Sequence, residues 1–241
     1  MNAAPSCVWH ASADEATWAQ DAAAALRDAL AQALARAPRA MILLSGGTTP
    51  APVHRALARL ELDWGRVVVS LVDERDVEPD ADGSNARLAA ESMLAGAASA
   101  AEFWPLRPRD VSLDAAVAAA NARWRAASAR LELAAVVLGM GEDAHTASLF
   151  PGARGLAAAL AASDPYAAID ASGCAGAGRW PRRITLTPAG WAEASTRLLL
   201  MRGDAKRVVF ERAMNSDAMR APVHAALEVP GVPLHVHWCA A

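Results

Sequence analysis

Two patterns of apolar residues alternate along the chain. In one, apolar residues recur at helical spacing; in the other, they form a short continuous run, as is typical of a buried strand. Apolar residues recur at helical spacing over 15–36, and Ser12 with Glu15 forms an S-x-x-E capping box, so we predict a helix beginning there. The next run, 40–44, is continuously apolar, and with Ser45 it stops at two glycines. It predicts a buried strand, a loop, and a helix with Pro50 near its first turn.

The same alternation of strand and helix continues to the end of the chain. Further strands are predicted at 66–75, 133–141, 166–171, 182–188, 196–203 and 233–239. Further helices are predicted at 85–94, with Ser84 as N-cap, and at 112–132, 204–215 and 221–228. The alternation predicts an α/β fold with a Rossmann-like doubly wound, mostly parallel sheet and helices on both faces.

No internal repeat or break in composition marks a domain boundary, so we expect a single domain over 1–241. The least regular stretch is 171–183, whose small residues are typical of a mobile loop. Polar clusters follow the predicted strands at 45–49, 73–76, 139–145, 183–187 and 203–206. Ligands of open α/β sheets bind beyond the carboxyl ends of the strands, so these clusters predict one shared crevice.

Composition narrows the classes of partner. The formal net charge is −3 and no run of basic residues occurs, which disfavours nucleic acid. No run of 18 apolar residues occurs, and the high hydrophobic content is largely alanine, so we expect no membrane partner. The first residues lack the features of a signal peptide, and the three cysteines have no CxxC spacing; we expect a cytoplasmic protein without disulfides. Alanine-rich helix faces leave the oligomeric state open between monomer and weak homodimer.

The segment SGGTTP, 45–50, combines two glycines with three hydroxyl groups between a strand and a helix. Its backbone N–H groups at Gly46, Gly47 and Thr48, together with the Ser45 hydroxyl, are suited to binding a phosphate. The alternative is a tight turn with a threonine cap. The segment lacks the Walker A and GxGxxG patterns.

The segment DERD, 73–76, places four charges directly after an apolar strand. Such a run is usually a solvated face, but at a strand end Asp73 and Arg75 project toward the crevice, and Arg75 is suited to a phosphate or carboxylate. Lys206 is the only lysine among 23 Lys and Arg residues, which suggests a position that needs a compact ammonium group.

The segment GMGEDAHTASLFPG, 139–152, matches the G-x-G-x-x-A dinucleotide pattern after a strand. Glu142 and Asp143 disfavour a pyrophosphate there, and Pro151 interrupts any long helix. His145 has no partner at metal-ligand spacing, so we expect no metal. Covalent catalysis is disfavoured because no G-x-S-x-G elbow occurs. General acid–base catalysis by His145 remains, with the adjacent carboxylate fixing its tautomer.

Five ordered motifs together resemble the glucosamine-6-phosphate isomerase/6-phosphogluconolactonase family. They are LLSGGTTP, VDERDVEPDADGSN, GMGEDAHTASLFPG, RRITLTP and GDAKR, spread over about 40–210. The resemblance to the lactonase branch implies hydrolysis of 6-phospho-D-glucono-1,5-lactone in the oxidative pentose phosphate pathway, with no metal or nucleotide cofactor. By position, it implies catalytic His145 and a substrate site at Gly46, Gly47, Thr48, Arg75, Arg183 and Lys206. We expect Asp143 and Arg75 to take part in catalysis with His145. Which of the three cations binds phosphate and which stabilises the oxyanion stays open.

Three positions depart from the family pattern. Ala144 stands where the family commonly has glycine, so the turn before His145 is expected to differ. His224 stands where a late arginine is common. Phe150 stands where the deaminase branch has the glutamate of its proton relay, which disfavours the deaminase alternative because phenylalanine carries no proton. A non-catalytic sugar-phosphate-binding protein is the second alternative.

Overall fold

The computed structural model describes residues 7–240. It contains ten β-strands, seven α-helices and several short 3-10 turns. The strands are β1 (Cys7–Ser12), β2 (Arg39–Leu44), β3 (Val67–Leu71), β4 (Asp73–Arg75), β5 (Glu102–Phe103), β6 (Leu131–Gly139), β7 (Tyr166–Asp170), β8 (Arg182–Leu186), β9 (Thr196–Arg202) and β10 (Leu234–Cys239). The helices are α1 (Glu15–Arg36), α2 (Ala51–Leu57), α3 (Asn85–Ser92), α4 (Leu113–Ala127), α5 (Leu156–Leu160), α6 (Pro188–Ala192) and α7 (Asp204–Ala213).

A seven-stranded parallel sheet in the order β1-β10-β9-β6-β2-β3-β5 forms the centre of the fold. Every residue of β3 and all but the first of β2 are buried, so both faces of these strands are covered. The chain leaves β2 toward β3 on one side, whereas β6 lies on the other side. This reversal opens a crevice beyond the carboxyl ends of β2 and β6. The α/β prediction is confirmed.

A smaller antiparallel sheet, β4-β8-β7, lies next to the first. The prediction of one strand over 66–75 is therefore wrong. Val72 donates its N–H to the Leu44 carbonyl and accepts the N–H of Leu186, so it bonds to both sheets and the chain passes from one to the other there. Periodicity does not reveal this break, because both segments are extended.

The capping box predicted at Ser12 is also wrong. Ser12 ends β1, a strand that the sequence pattern did not reveal, and its hydroxyl donates to Asp21. Asp14 caps α1 instead, because its carboxylate accepts the Thr17 N–H at 2.7 Å. The predicted Ser84 cap of α3 is confirmed, since Ser84 Oγ accepts the Arg87 N–H.

Two predicted helices depart clearly from the observed elements. The helix at 112–132 ends at Ala127, because the chain turns and enters β6 at Leu131. The segment 221–228 forms a 3-10 turn, Pro222–Ala226, which is typical of a short connection that begins at proline. Within residues 7–240, no helix combines the length and apolar character needed to cross a membrane.

Candidate active site

A cavity of about 300 Å³ lies at the carboxyl ends of β2 and β6. All of the site residues predicted from the sequence line it except Asp143, which lies behind His145. Its lining consists of Ser45, Gly46, Gly47, Thr48, Thr49, Pro50, Asp73, Arg75, Asn85, Gly139, Met140, Gly141, His145, Ala147, Gly176, Arg183, Leu200 and Lys206. The five polar clusters of the sequence thus meet in one crevice, although Arg183 lies near the start of β8 and not beyond its carboxyl end.

The loop after β2 forms one wall of this cavity. Gly47 has φ +90°, a conformation that favours glycine. Gly46 leaves no room for a side chain, because a Cβ there would lie 1.9 Å from Asn85 Oδ1. The threonine-cap alternative is not observed, since α2 begins after Pro50 with no side-chain hydrogen bond at its N-cap. The loop therefore presents its backbone directly to the cavity.

The first two residues of the charged cluster after Val72, Asp73 and Glu74, are buried rather than solvated. Glu74 is only 1% exposed. Its carboxylate accepts the backbone N–H groups of Arg75, Asn85 and Ala86 and the hydroxyl of Ser84. Burial raises the pKa of Glu74, and the three N–H donors partly offset that shift. Glu74 thus anchors the start of α3 to β4.

Asp73 links three motifs that are distant in sequence. Its carboxylate accepts the Ser148 hydroxyl at 2.5 Å and the Asn85 Nδ2 at 3.2 Å. Arg183 Nη1 lies 3.7 Å from the same carboxylate and donates to Ser148 Oγ at 3.3 Å. The structure therefore gives Ser148 a bridging role between a buried carboxylate and a buried guanidinium.

Arg183 is held by several partners although it is only 4% exposed. Nε donates to the Trp180 carbonyl at 2.7 Å, and Nη2 donates to the Ala177 carbonyl at 2.6 Å. Burial lowers the pKa of Arg183, and the nearby Asp73 opposes that shift. Arginine retains its charge throughout the ordinary pH range, so the cavity contains a fixed cation.

Arg75 and Lys206 supply two further cations to the cavity. Arg75 Nη1 donates to the Gly83 carbonyl, and its guanidinium lies 6.0 Å from the Trp180 ring. Lys206 lies in the first turn of α7. Burial lowers the pKa of Lys206, an effect that Glu142 opposes. Three positive side chains thus face one cavity, which favours an anionic ligand.

His145 and Asp143 form a closely bonded pair. His145 Nδ1 lies 2.5 Å from Asp143 Oδ1, which also accepts the His145 backbone N–H at 3.2 Å. Burial raises the pKa of Asp143, but hydrogen bonds from His145 and its charge outweigh burial, so the net shift is downward. The carboxylate engages Nδ1, which leaves Nε2 for a water or ligand in the cavity.

A tight turn carries this pair beyond β6. Ala144 has φ +61°, so alanine adopts the left-handed conformation at this position where the family commonly has glycine. Thr146 closes the turn by donating its hydroxyl to the Gly139 carbonyl at 2.8 Å. No helix begins at this turn, and the next helix is α5. The segment therefore lacks the helix N-terminus of a dinucleotide loop.

Two glycines and one aromatic ring pack against the pair. A Cβ at Gly141 would lie 2.3 Å from the His145 ring, and one at Gly176 would lie 2.6 Å from Asp143. Phe150, which is completely buried, has its ring centroid 4.1 Å from that of His145. The loop 171–183, which the sequence suggested to be mobile, is thus packed onto the site.

Asn85 and Gly176 are among the residues of this site that sequence reasoning missed. Asn85 lies next to the Ser84 cap in the second motif, and its pattern suggested only the start of a helix. Gly176 lies in a loop without regular periodicity. No local sequence pattern marks glycines that become packed against one another only in the fold. Within residues 7–240, no three His, Cys, Asp or Glu side chains are grouped so as to hold a metal ion.

Comparison with known proteins places this chain in a family. The model described as glucosamine-6-phosphate isomerases/6-phosphogluconolactonase matches residues 13–234. The chain is 45% identical over 228 residues, 94% of each chain, to the 6-phosphogluconolactonase of Xylella fastidiosa (strain Temecula1). It is 40% identical to that of Rhizobium meliloti (strain 1021), over 87% of this chain and 88% of the relative.

Solved structures agree with the sequence comparison. The crystal structure of a 6-phosphogluconolactonase from Shewanella baltica superimposes with a TM-score of 0.86 at 30% identity, covering 99% of each chain. That of the enzyme from Thermotoga maritima has a TM-score of 0.77 at 23% identity and shares the fold. The chain belongs to the glucosamine-6-phosphate isomerase/6-phosphogluconolactonase family.

Proposed function

We propose that the protein is a 6-phosphogluconolactonase, which hydrolyses 6-phospho-D-glucono-1,5-lactone to 6-phospho-D-gluconate. The observation that carries this proposal is the His145–Asp143 pair at 2.5 Å, facing a cavity that three cations also line. The names of the relatives at 45% and 40% identity support it. We further propose that it acts in the cytoplasm, in the oxidative pentose phosphate pathway.

His145 acts as the general base in this proposal. Asp143 accepts the Nδ1 proton, so the neutral imidazole has its lone pair on Nε2. Nε2 takes a proton from water as the oxygen attacks the lactone carbonyl carbon. The bond from that carbon to the ring oxygen then breaks, and His145 returns its proton to the ring oxygen. The acid formed releases one proton at neutral pH, which completes the balance.

Asp143 holds the imidazole in the tautomer that this step needs. Its lowered pKa favours the carboxylate form, which also stabilises the imidazolium as it forms. We assign the cations separate tasks, because Arg183 packs on the same Phe150 ring as His145. The loop at Gly46, Gly47 and Thr48, with Arg75 and Lys206, binds the phosphate, whereas Arg183 meets the charge that develops on the carbonyl oxygen.

The alternatives explain the site less well. In the deaminase branch a glutamate stands where this chain has Phe150, whose buried ring cannot move a proton between substrate atoms. A non-catalytic sugar-phosphate-binding protein would need the cations but not a histidine whose tautomer is fixed by a carboxylate. No ammonia release from glucosamine 6-phosphate is therefore expected.

The first prediction concerns His145. Replacing it by alanine (His145→Ala) should lower kcat by about 10²- to 10⁴-fold, the usual contribution of a general base. The measurement is proton release from freshly generated lactone, corrected for its spontaneous opening. The matched control is His10→Ala, which removes a histidine of β1 outside the cavity and should leave kcat unchanged. Turnover near that of the wild type in His145→Ala would disprove the role of His145.

A further inference from the structure

The ring of Phe150 contacts both the imidazole and one of the guanidinium groups of the site. Its centroid lies 4.1 Å from the centroid of the His145 ring, with 34° between the planes. The guanidinium carbon of Arg183 lies 5.1 Å from the same centroid. Phe150 is completely buried, and a Cβ at Gly176 would lie 3.2 Å from its edge. The ring is therefore closely packed and has little freedom to move.

The hydrogen bond from Asp143 does not by itself fix the His145 imidazole. It holds Nδ1 at one point, about which the plane of the ring can still tilt, and any tilt displaces Nε2 from the attacking water. The face of Phe150 restricts that plane. Within the described residues, Phe150 is the aromatic ring against which His145 packs.

Arg183 is oriented by the same ring and by three hydrogen bonds. Nε, Nη1 and Nη2 each donate to a protein acceptor: Trp180 O, Ser148 Oγ and Ala177 O. A guanidinium has five N–H groups, so one remains on each of Nη1 and Nη2 for a ligand in the cavity that Arg183 lines. The ring and the three acceptors together determine where these donors point.

We propose that Phe150 is a positioning residue whose ring sets the plane of the His145 imidazole and the place of the Arg183 guanidinium, so that base and cation meet the same carbonyl group. This inference rests on the proposed lactonase function and deepens it. Proton transfer and oxyanion stabilisation both depend on geometry in the transition state, and a misplacement of about 1 Å can cost about 10²-fold.

The role predicts a change in kcat with little change in KM. The phosphate is bound by the loop after β2 and by Arg75 and Lys206, none of which packs on the Phe150 ring. Ground-state binding of the substrate should therefore survive the loss of the ring. Interactions realised only in the transition state appear in kcat, whereas uniform binding appears in KM.

The test makes the same substitution, phenylalanine to leucine, at two buried positions. Phe150→Leu keeps an apolar side chain but removes the flat ring. Phe210→Leu is the matched control, because Phe210 is also completely buried but packs edge-to-face on Trp9 at 5.6 Å, outside the cavity. We expect Phe150→Leu to lower kcat by about 10- to 100-fold with KM nearly unchanged. Phe210→Leu should destabilise the fold similarly and leave kcat near that of the wild type.

A second measurement does not depend on activity. The ring current of Phe150 should shift the His145 ring-proton resonances upfield in NMR spectra, and this shift should disappear in Phe150→Leu but persist in Phe210→Leu. If the wild type is active, either of two results overturns the role of Phe150. One is an equal kcat in the two variants, and the other is a raised KM with unchanged kcat in Phe150→Leu. Absence of lactone hydrolysis in the wild type overturns the proposed function as well.

Discussion

Ala144 is a residue whose backbone conformation conflicts with its side chain. Its φ of +61° lies in the left-handed region, where a Cβ meets the following carbonyl oxygen. The turn nevertheless brings Asp143 and His145 into contact. That contact and the packing around it hold Ala144 in the left-handed conformation. Alanine at this position therefore carries a steric cost that glycine would not.

The second prediction follows from that strain. Ala144→Gly should increase the free energy of unfolding by about 0.5–1 kcal/mol, because glycine adopts positive φ without the steric cost. The measurement is urea unfolding of the variant and the wild type. Ala31→Gly in the middle of α1 should have the opposite sign, a loss of about 1 kcal/mol. Destabilisation by both substitutions would contradict the strain at Ala144.

At the scale of elements, sequence periodicity predicted most strands and helices but not how the strands pair. The apolar runs of β2, β3 and β6 are buried on both faces, which is why they could be recognised. The separation of β4 from β3 at Val72 depends on hydrogen bonds to Leu44 and Leu186, residues distant in sequence. Such long-range pairing leaves no local pattern.

The third prediction concerns how β4 fixes α3. Glu74→Gln should destabilise the protein by about 2–3 kcal/mol, because one carboxamide oxygen cannot replace two carboxylate oxygens that accept four hydrogen bonds. Glu91→Gln on α3 is the matched control. Glu91 forms an exposed ion pair with Arg87, so its loss should cost less than about 1 kcal/mol. Equal effects in urea unfolding would contradict the anchoring role of Glu74.

At the scale of the whole molecule, sequence reasoning predicted which motifs line the crevice but not the contacts between them. Motifs at strand ends could be assigned to one edge of a parallel sheet, which brought His145, Arg75 and Lys206 together. The contacts that order the cavity, such as Ser148 between Asp73 and Arg183, join the loop after β6 to the smaller sheet. Those contacts follow from the relative placement of the sheets, which no single segment encodes.

Two buried histidines outside the cavity are expected to make the stability of the whole fold depend on pH. Burial lowers the pKa of His54 to about 4, with a smaller contribution from Arg55. Burial also lowers the pKa of His237 to about 4; His10 and His235 lower it further, and Asp21 opposes them. Both rings are therefore neutral in the native state at pH 5.

The fourth prediction follows from the difference between folded and unfolded states. An unfolded histidine binds a proton near pH 6.5, so as the pH falls below that value the unfolded state takes up protons that the native state takes up only near pH 4. The free energy of unfolding is therefore highest above pH 6.5 and falls on acidification. By pH 5 each histidine should cost about 2 kcal/mol, measurable as a lower urea midpoint than at pH 7.5.

His54→Asn separates this effect from general acid sensitivity. The asparagine amide can keep the contact that His54 Nδ1 makes with Ser92 Oγ at 3.2 Å, but it does not titrate. The variant should therefore lose less stability between pH 7.5 and pH 5 than the wild type, by about 2 kcal/mol. If the variant lost as much stability as the wild type between pH 7.5 and pH 5, His54 would be protonated in the native state. Its burial would then not oppose its charge. The His145–Asp143 pair is not involved, because His54 lies outside the cavity, so kcat in the variant should follow that of the wild type over the same range.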